Sequence, residues 1–134
     1  MASTPTGPAG PPLGSTNLGI APNIGGLLCY VPCCIGLVFS VVVAVVEKQS
    51  RFLRFHAFQG LLLHAAALVV LLALWLLSTV FMIVHLGFLS ILIVPLEFAI
   101  GLAMLGLEIF LMIKAYNNEE YELPRLGQMA RGWA

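Results

Sequence analysis

Two stretches decide how this chain folds: AFQGLLLHAAALVVLLALWLLSTVFMIV, residues 57–84, and FLSILIVPLEFAIGLAMLGLEIFLMIKAY, residues 88–116. Each is roughly 28 residues of nearly unbroken hydrocarbon. At ~1.5 Å of helical rise per residue, either one exceeds the ~30 Å apolar thickness of a bilayer. His85-Leu86-Gly87 is the only break between them. Three crossings do not fit, because ~60 residues of helix would leave none for turns. Two helices are expected, tilted or protruding into the headgroups.

A further apolar run, residues 24–46, is about long enough to cross once more. Asn23 is a plausible N-cap for it. Gly25-Gly26, Pro32 and Gly36 are expected to kink it or loosen its outer end. Upstream, residues 1–22 hold five of the eight prolines and four glycines, a composition that buries no core and predicts a flexible, disordered tail over 1–23. The N-terminus has no Lys or Arg and no short apolar segment ending in a cleavage-like site, so the first run reads as a retained span rather than a secretory signal.

With 60% hydrophobic and 9% charged residues among 134, and a mean hydropathy of +1.03, the chain lacks the polar surface that a water-soluble domain needs. Zero net charge conceals an asymmetry. Lys48, Arg51 and Arg54 follow the first run, and Lys114, Arg125 and Arg131 sit at or after the end of the last. No basic face of a size to bind nucleic acid is available. Three spans place both basic stretches on one side, which the positive-inside rule makes cytoplasmic. The N-terminus is then expected outside and the C-terminus inside, in a multi-pass protein of a bacterial inner membrane.

Two segments carry a family resemblance. Ser50-Arg51-Phe52-Leu53-Arg54-Phe55-His56-Ala57-Phe58-Gln59-Gly60 resembles the "RFxRFHAxQ" start of a membrane helix in small bacterial membrane proteins of unknown function. That family is similar to the chloroplast inner-envelope import (Tic) component and to the MamF magnetosome membrane proteins. The tail Tyr121-Glu122-Leu123-Pro124-Arg125-Leu126-Gly127-Gln128-Met129-Ala130 looks like the family's closing "Y-x-x-P-x-x-G-x-x-A", with Tyr121, Pro124, Gly127 and Ala130 in its fixed positions. The resemblance covers roughly residues 24–131 and implies a helical membrane fold. The chain departs from it in lacking a fourth span, in Arg125 and in the two glutamates of the last span.

Arg51, Arg54, Phe55, Phe58 and Leu62 recur at helical spacing, so guanidinium groups reach the headgroups while rings sit in the acyl boundary. Anchoring is the simpler role for that face, and binding of an anionic lipid or a partner the sharper one. His56 and Gln59 lie on another side, one turn apart, where they are expected to hydrogen-bond the facing Tyr116–Asn117 region. If spans two and three form an antiparallel hairpin, equal rise pairs positions whose numbers sum to about 172. That sets His64 opposite Glu108 and Glu97 near Trp75, whose indole N–H is a donor. Glu97 and Glu108, three turns apart, share a stripe, so His64, Glu97 and Glu108 read as a buried polar seam.

Cys29, Cys33 and Cys34 include a pair one turn apart that could take a soft metal, but no His or acidic ligand lies nearby in sequence, and apolar burial is the better reading. Ala99 and Ala103, with Gly101 and Gly106 nearby, permit close helix approach within the bundle or between copies. Residues 117–134 are expected to form a cytoplasmic interfacial tail with a short helix over 123–134, Pro124 in its first turn. His85 reads as an interfacial turn residue. There is no nucleophile beside a base, no phosphate loop and no zinc-protease motif.

The sequence therefore predicts an all-α integral membrane protein with spans near 24–46, 57–84 and 88–116, no catalytic residues, no cofactor and no metal. Its expected partners are membrane lipids, other membrane subunits or further copies of itself. The expected role is a scaffold or an assembly- or translocation-associated subunit. The alternative is an oligomeric channel or proton-linked carrier built on Glu97, Glu108 and His64.

Overall fold

The computed structural model describes residues 14–134 and contains five α-helices and no strand among them. These are α1 (Pro22–Leu28), α2 (Cys34–Val46), α3 (Arg51–Ile83), α4 (Ser90–Tyr116) and α5 (Leu126–Trp133). A 3-10 turn, Gly87–Leu89, precedes α4. Most of the expected disordered tail, residues 1–13, lies outside the described residues.

α3 starts where Ser50 stops the extended chain: its Oγ accepts the Leu53 N–H at 3.2 Å. This is N-capping, in which a side-chain oxygen satisfies a helix-start donor that has no partner within the helix. With 33 residues, α3 is about 50 Å long, and the 27 residues of α4 make about 40 Å. Both helices end the same way. His85 and Asn118 take left-handed backbone angles, φ 61° and 63°. Their N–H groups bond the Met82 and Ala115 carbonyls, and the next residues, Leu86 and Glu119, bond Phe81 and Lys114. That paired pattern is the Schellman motif, which closes otherwise open carbonyls. His85 thus has a backbone duty.

The apolar middles of α3 and α4 are almost uncovered by protein. Leu68, Val69, Ile91 and Leu92 are 60%, 67%, 71% and 72% exposed. Large contiguous apolar surface of this kind is not tolerated in water. Hydrocarbon is the solvent for these faces, and the chain is an all-helical membrane protein.

The first apolar run departs from the span expected over 24–46. It is not one helix. Pro32 lacks an N–H and disfavours helical angles at Val31, and Cys33 adopts φ 69°. Gly36 bonds back to the Val31 carbonyl at 3.2 Å, and the chain reverses. The 13 residues of α2 make about 20 Å, too short to cross a bilayer. α1 packs mainly on α4 and α2 on α3, so the run forms a short hairpin. Its tip reaches His64: a Cβ on Gly36 would lie 3.1 Å from the His64 ring and 2.2 Å from the Val31 carbonyl. Gly60 of α3 leaves room for the Cys29 carbonyl, which also accepts the Ser40 hydroxyl at 3.1 Å. The core lies at this base, in two clusters around Tyr30, Leu63, Leu111 and Ala115, and around Cys29, Val43, Leu53 and Ala57.

Both ends of the hairpin lie at one end of the molecule. Ala21 caps α1 and Pro22 opens it, so the expected N-cap Asn23 sits inside the helix. Its amide instead donates to the Tyr116 carbonyl at 3.2 Å, at the end of α4. Before it, Asn17 docks on the loop joining α2 to α3. The Asn17 Oδ1 accepts the Lys48 and Gln49 N–H groups at 2.8 and 3.2 Å. The fully buried Glu47 carboxylate accepts N–H groups from Asn17, Gln49 and Ser50 at 2.8, 2.8 and 2.9 Å. The expected separation of the N-terminal segment from the 47–50 loop is therefore not what the fold contains, because a hairpin returns the chain to its starting level.

Burial raises the Glu47 carboxyl, but the N–H groups of Ser50, Gln49, Asn17 and Leu18 together outweigh it and hold the group below its ordinary 4.5. A value lowered by folding contributes stability fully above 4.5, and that contribution is lost as pH falls through the lowered value. Glu47→Gln should cost on the order of 2 kcal/mol at neutral pH, the scale of hydrogen bonds to a charged acceptor. Thermal unfolding in detergent should show that difference from wild type shrinking in acid; a difference constant with pH would contradict the assignment.

Candidate functional site

Gln59 is buried on the third turn of α3, where its carboxamide meets two separate stretches of chain. Its Nε2 donates to the Tyr30 hydroxyl at 3.0 Å and to the Tyr121 carbonyl at 2.9 Å. Its Oε1 accepts the Leu123 N–H at 3.0 Å. Tyr30, fully buried in the turn after α1, lies 3.0 Å from His56 Nδ1. The enclosed tyrosine proton needs an acceptor, and His56 Nδ1 is the one in reach, while the buried His56 Nε2 has no hydrogen-bond partner. The order of donation runs from Gln59 to Tyr30 to His56. Phe52, Phe55 and Tyr30 surround the imidazole edge-on, with centroids 4.5, 5.2 and 5.6 Å away.

The facing partners expected for His56 and Gln59 were Tyr116 and Asn117. The hydrogen bonds found go to Tyr30, Tyr121 and Leu123 instead, because the α1–α2 hairpin folds inward and the tail after α4 doubles back. Tyr121 also packs its ring edge-on to Phe110 at 5.0 Å. After it, Pro124 and the left-handed Arg125 (φ 64°) turn the chain into α5, which begins two residues beyond Pro124. Gly127 and the buried Ala130 face α3. A Cβ on Gly127 would fall 2.6 Å from Gln59 Oε1 and 2.7 Å from the Glu122 Cα, so only glycine lets the tail come this close.

α5 covers the aromatic face at the start of α3. Trp133 meets Phe58 edge-on at 5.8 Å, and the Trp133 carbonyl accepts from Arg54 at 3.1 Å. The Arg131 guanidinium lies over the Phe55 ring at 5.1 Å and pairs with Glu120 at 3.1 Å and with Glu122. Arg54 is thus spent on α5, whereas Arg51 is exposed. Lys114 pairs with Glu119 at 2.7 Å. All three cysteines are free: Cys29 is buried, and Cys33 and Cys34 are exposed.

The polar seam divides. His64 Nε2 stands 3.5 Å from Glu108 Oε1, with both side chains less than a tenth exposed. Glu97 lies apart, in an open groove of about 540 Å³ lined by Val94, Phe98, Gly101, Leu102 and Leu105. Its enclosed Oε1 has no hydrogen-bond partner, and the expected donor, Trp75, is 58% exposed. Axial register sets depth, but the direction of the indole is set by helix rotation.

Replacing Gln59 by Leu would leave the Leu123 N–H and the Tyr121 carbonyl without their partner, at about 1–3 kcal/mol each if they stay buried. Gly127→Ala should release the same segment by forcing α5 away from Gln59. Limited trypsin digestion at Arg125 should accelerate in both variants, and the double variant should be less than additive, since one contact is lost twice. Equal cleavage in wild type and variants would separate the motif from tail docking.

Residues 15–130 match the magnetosome magnetite crystal formation protein family. A UPF0132 membrane protein of Methanocaldococcus jannaschii is 32% identical over 122 residues, covering 91% of this chain and 96% of its own length. A second from the same organism is 32% identical over 121 residues, covering 84% of this chain and 70% of its own. A UPF0132 membrane protein of Archaeoglobus fulgidus is 28% identical over 108 residues, covering 81% and 90%. No solved structure matches. The matched residues run from the Asn17 clamp through Gln59 to Ala130 of α5, and the chain belongs to the magnetosome magnetite crystal formation protein family.

Proposed function

We infer that this membrane protein is a non-catalytic scaffold whose α3–α4 arm packs against helices of other membrane subunits. One observation carries the reading: beyond His64, α3 and α4 continue past the tip of the α1–α2 hairpin with their apolar faces uncovered. At the base, the chain spends its polar side chains on internal contacts. On the arm, it leaves the Glu97 Oε1 enclosed but unpartnered, beside Gly101, in a groove open to the membrane. A Cβ at Gly101 or Gly106 would meet nothing within 4 Å. Such small positions let a neighbouring backbone come close where hydrocarbon supplies no hydrophobic drive.

The topology that goes with this reading has two crossings, α3 and α4, and a re-entrant α1–α2 hairpin. The segment around Asn17 and the C-terminal tail then share the cytoplasmic side, and all six Lys and Arg residues remain there. The hydrogen bonds of Asn17 and Asn23 support it. The competing reading, an oligomeric channel or proton-linked carrier, requires Glu97, Glu108 and His64 to line one aqueous path.

A single experiment separates them. Cysteines are placed one at a time at positions 97, 101 and 105 in a background without the three native cysteines. The scaffold reading expects crosslinking to a second polypeptide in native membranes and no reaction with an impermeant thiol reagent. Labelling from water along all three positions would establish the channel reading instead.

A further inference from the structure

We propose that His64 and Glu108 form a binding site for one proton, and that this proton joins α3 to α4. The argument begins at the other ring nitrogen. His64 Nδ1 lies 2.7 Å from the Gly60 carbonyl oxygen. A carbonyl can only accept, so the contact is a hydrogen bond only if Nδ1 carries a proton. In a neutral ring the Nε2 then bears a lone pair, and that lone pair is on the atom facing Glu108 Oε1 at 3.5 Å.

Three proton counts are available to the pair. With none, a carboxylate faces a lone pair where both side chains are less than a tenth exposed, and neither has a donor. With two, an imidazolium faces a neutral acid, and a buried charge lacks its counter-charge. With one, the proton sits between them, as carboxyl to imidazole or as imidazolium to carboxylate. Both descriptions satisfy both atoms. The reaction is uptake of one proton from water by the pair, with no other bond made or broken.

The surroundings leave this pair to itself. α1 and the turn after it bring Cys29 and Tyr30 to the base, where the Cys29 carbonyl accepts from Ser40 and the Tyr30 hydroxyl is engaged with Gln59 and His56. α2 presents Gly36 to the ring and no charged group. On α3, His56 is eight residues away, about 12 Å along the helix, and on α4 Glu97 is eleven residues away, about 16 Å. Among the described residues, the His64–Glu108 contact is the one ion pair between α3 and α4, and His64 Nε2, which faces it, has no hydrogen-bond partner elsewhere. The proton therefore sets the one polar tie between the two helices above the base, in addition to their direct packing and the turn that joins them. The site goes beyond the scaffold reading and stands or falls apart from it.

The test uses the full-length chain in lipid nanodiscs, with Glu108 Cδ and His64 Nε2 chemical shifts assigned through the backbone and followed from mildly acidic to alkaline pH. The expected result is one step shared by the two groups, with Nδ1 protonated throughout. Separate steps for the two groups, or a pair already without its proton at neutral pH, would overturn the site. This coincidence is read in the wild-type chain, so it needs no variant to fold. Spin labels at positions 70 and 102, with the native cysteines replaced, should move apart as the step is passed; an unchanged separation would overturn the joining role.

Discussion

The Gln59 carboxamide is the contact on which the base of this protein depends. A chain that turns round within a bilayer leaves carbonyl and amide groups that water cannot reach, and each must find a partner in the protein. Gln59 supplies two donors and an acceptor from one rigid position on α3. Through them it fixes the turn after α1 and the segment after α4 at the same level. Tyr30 extends the set to His56, and Gly127 gives the tail room to approach. The two segments that carry the family resemblance, far apart in number, are halves of one hydrogen-bonded junction.

This junction divides the molecule into unlike halves. Below His64, four helices and the tail pack around a small core, and Glu47, Arg54, Lys114 and Arg131 each have partners within the chain. Above it, two helices run on alone with only apolar side chains, a few small residues and Glu97. The first half explains how 121 described residues hold a fixed shape with few crossings. The second half presents to the membrane the uncovered apolar surface on which the proposed packing against other subunits would rest.

Much of this was legible from residue order. Hydropathy located α3 and α4 because their lengths exceed what hydrocarbon requires, and a pure rise argument set His64 and Glu108 at one depth, where their side chains are 3.5 Å apart. The same arithmetic misdirected Glu97 toward Trp75, since rise carries no information about rotation. The first apolar run looked like a span because composition alone does not distinguish a continuous helix from a bent one. Pro32 and Gly36 marked the place, but the reversal depends on Gly60, Gln59 and Glu47, which lie elsewhere in the chain. Tyr30 was overlooked for that reason: nothing near it in sequence signals a polar partner.

The bent first run also bears on how the protein is made. Its two short helices close part of their turn by themselves, through Gly36 and Ser40, but the Tyr30 hydroxyl finds its partners only on α3, which is synthesised later. The α1–α2 hairpin therefore reaches its final packing only once α3 and α4, which follow it in the chain, provide the wall it folds against.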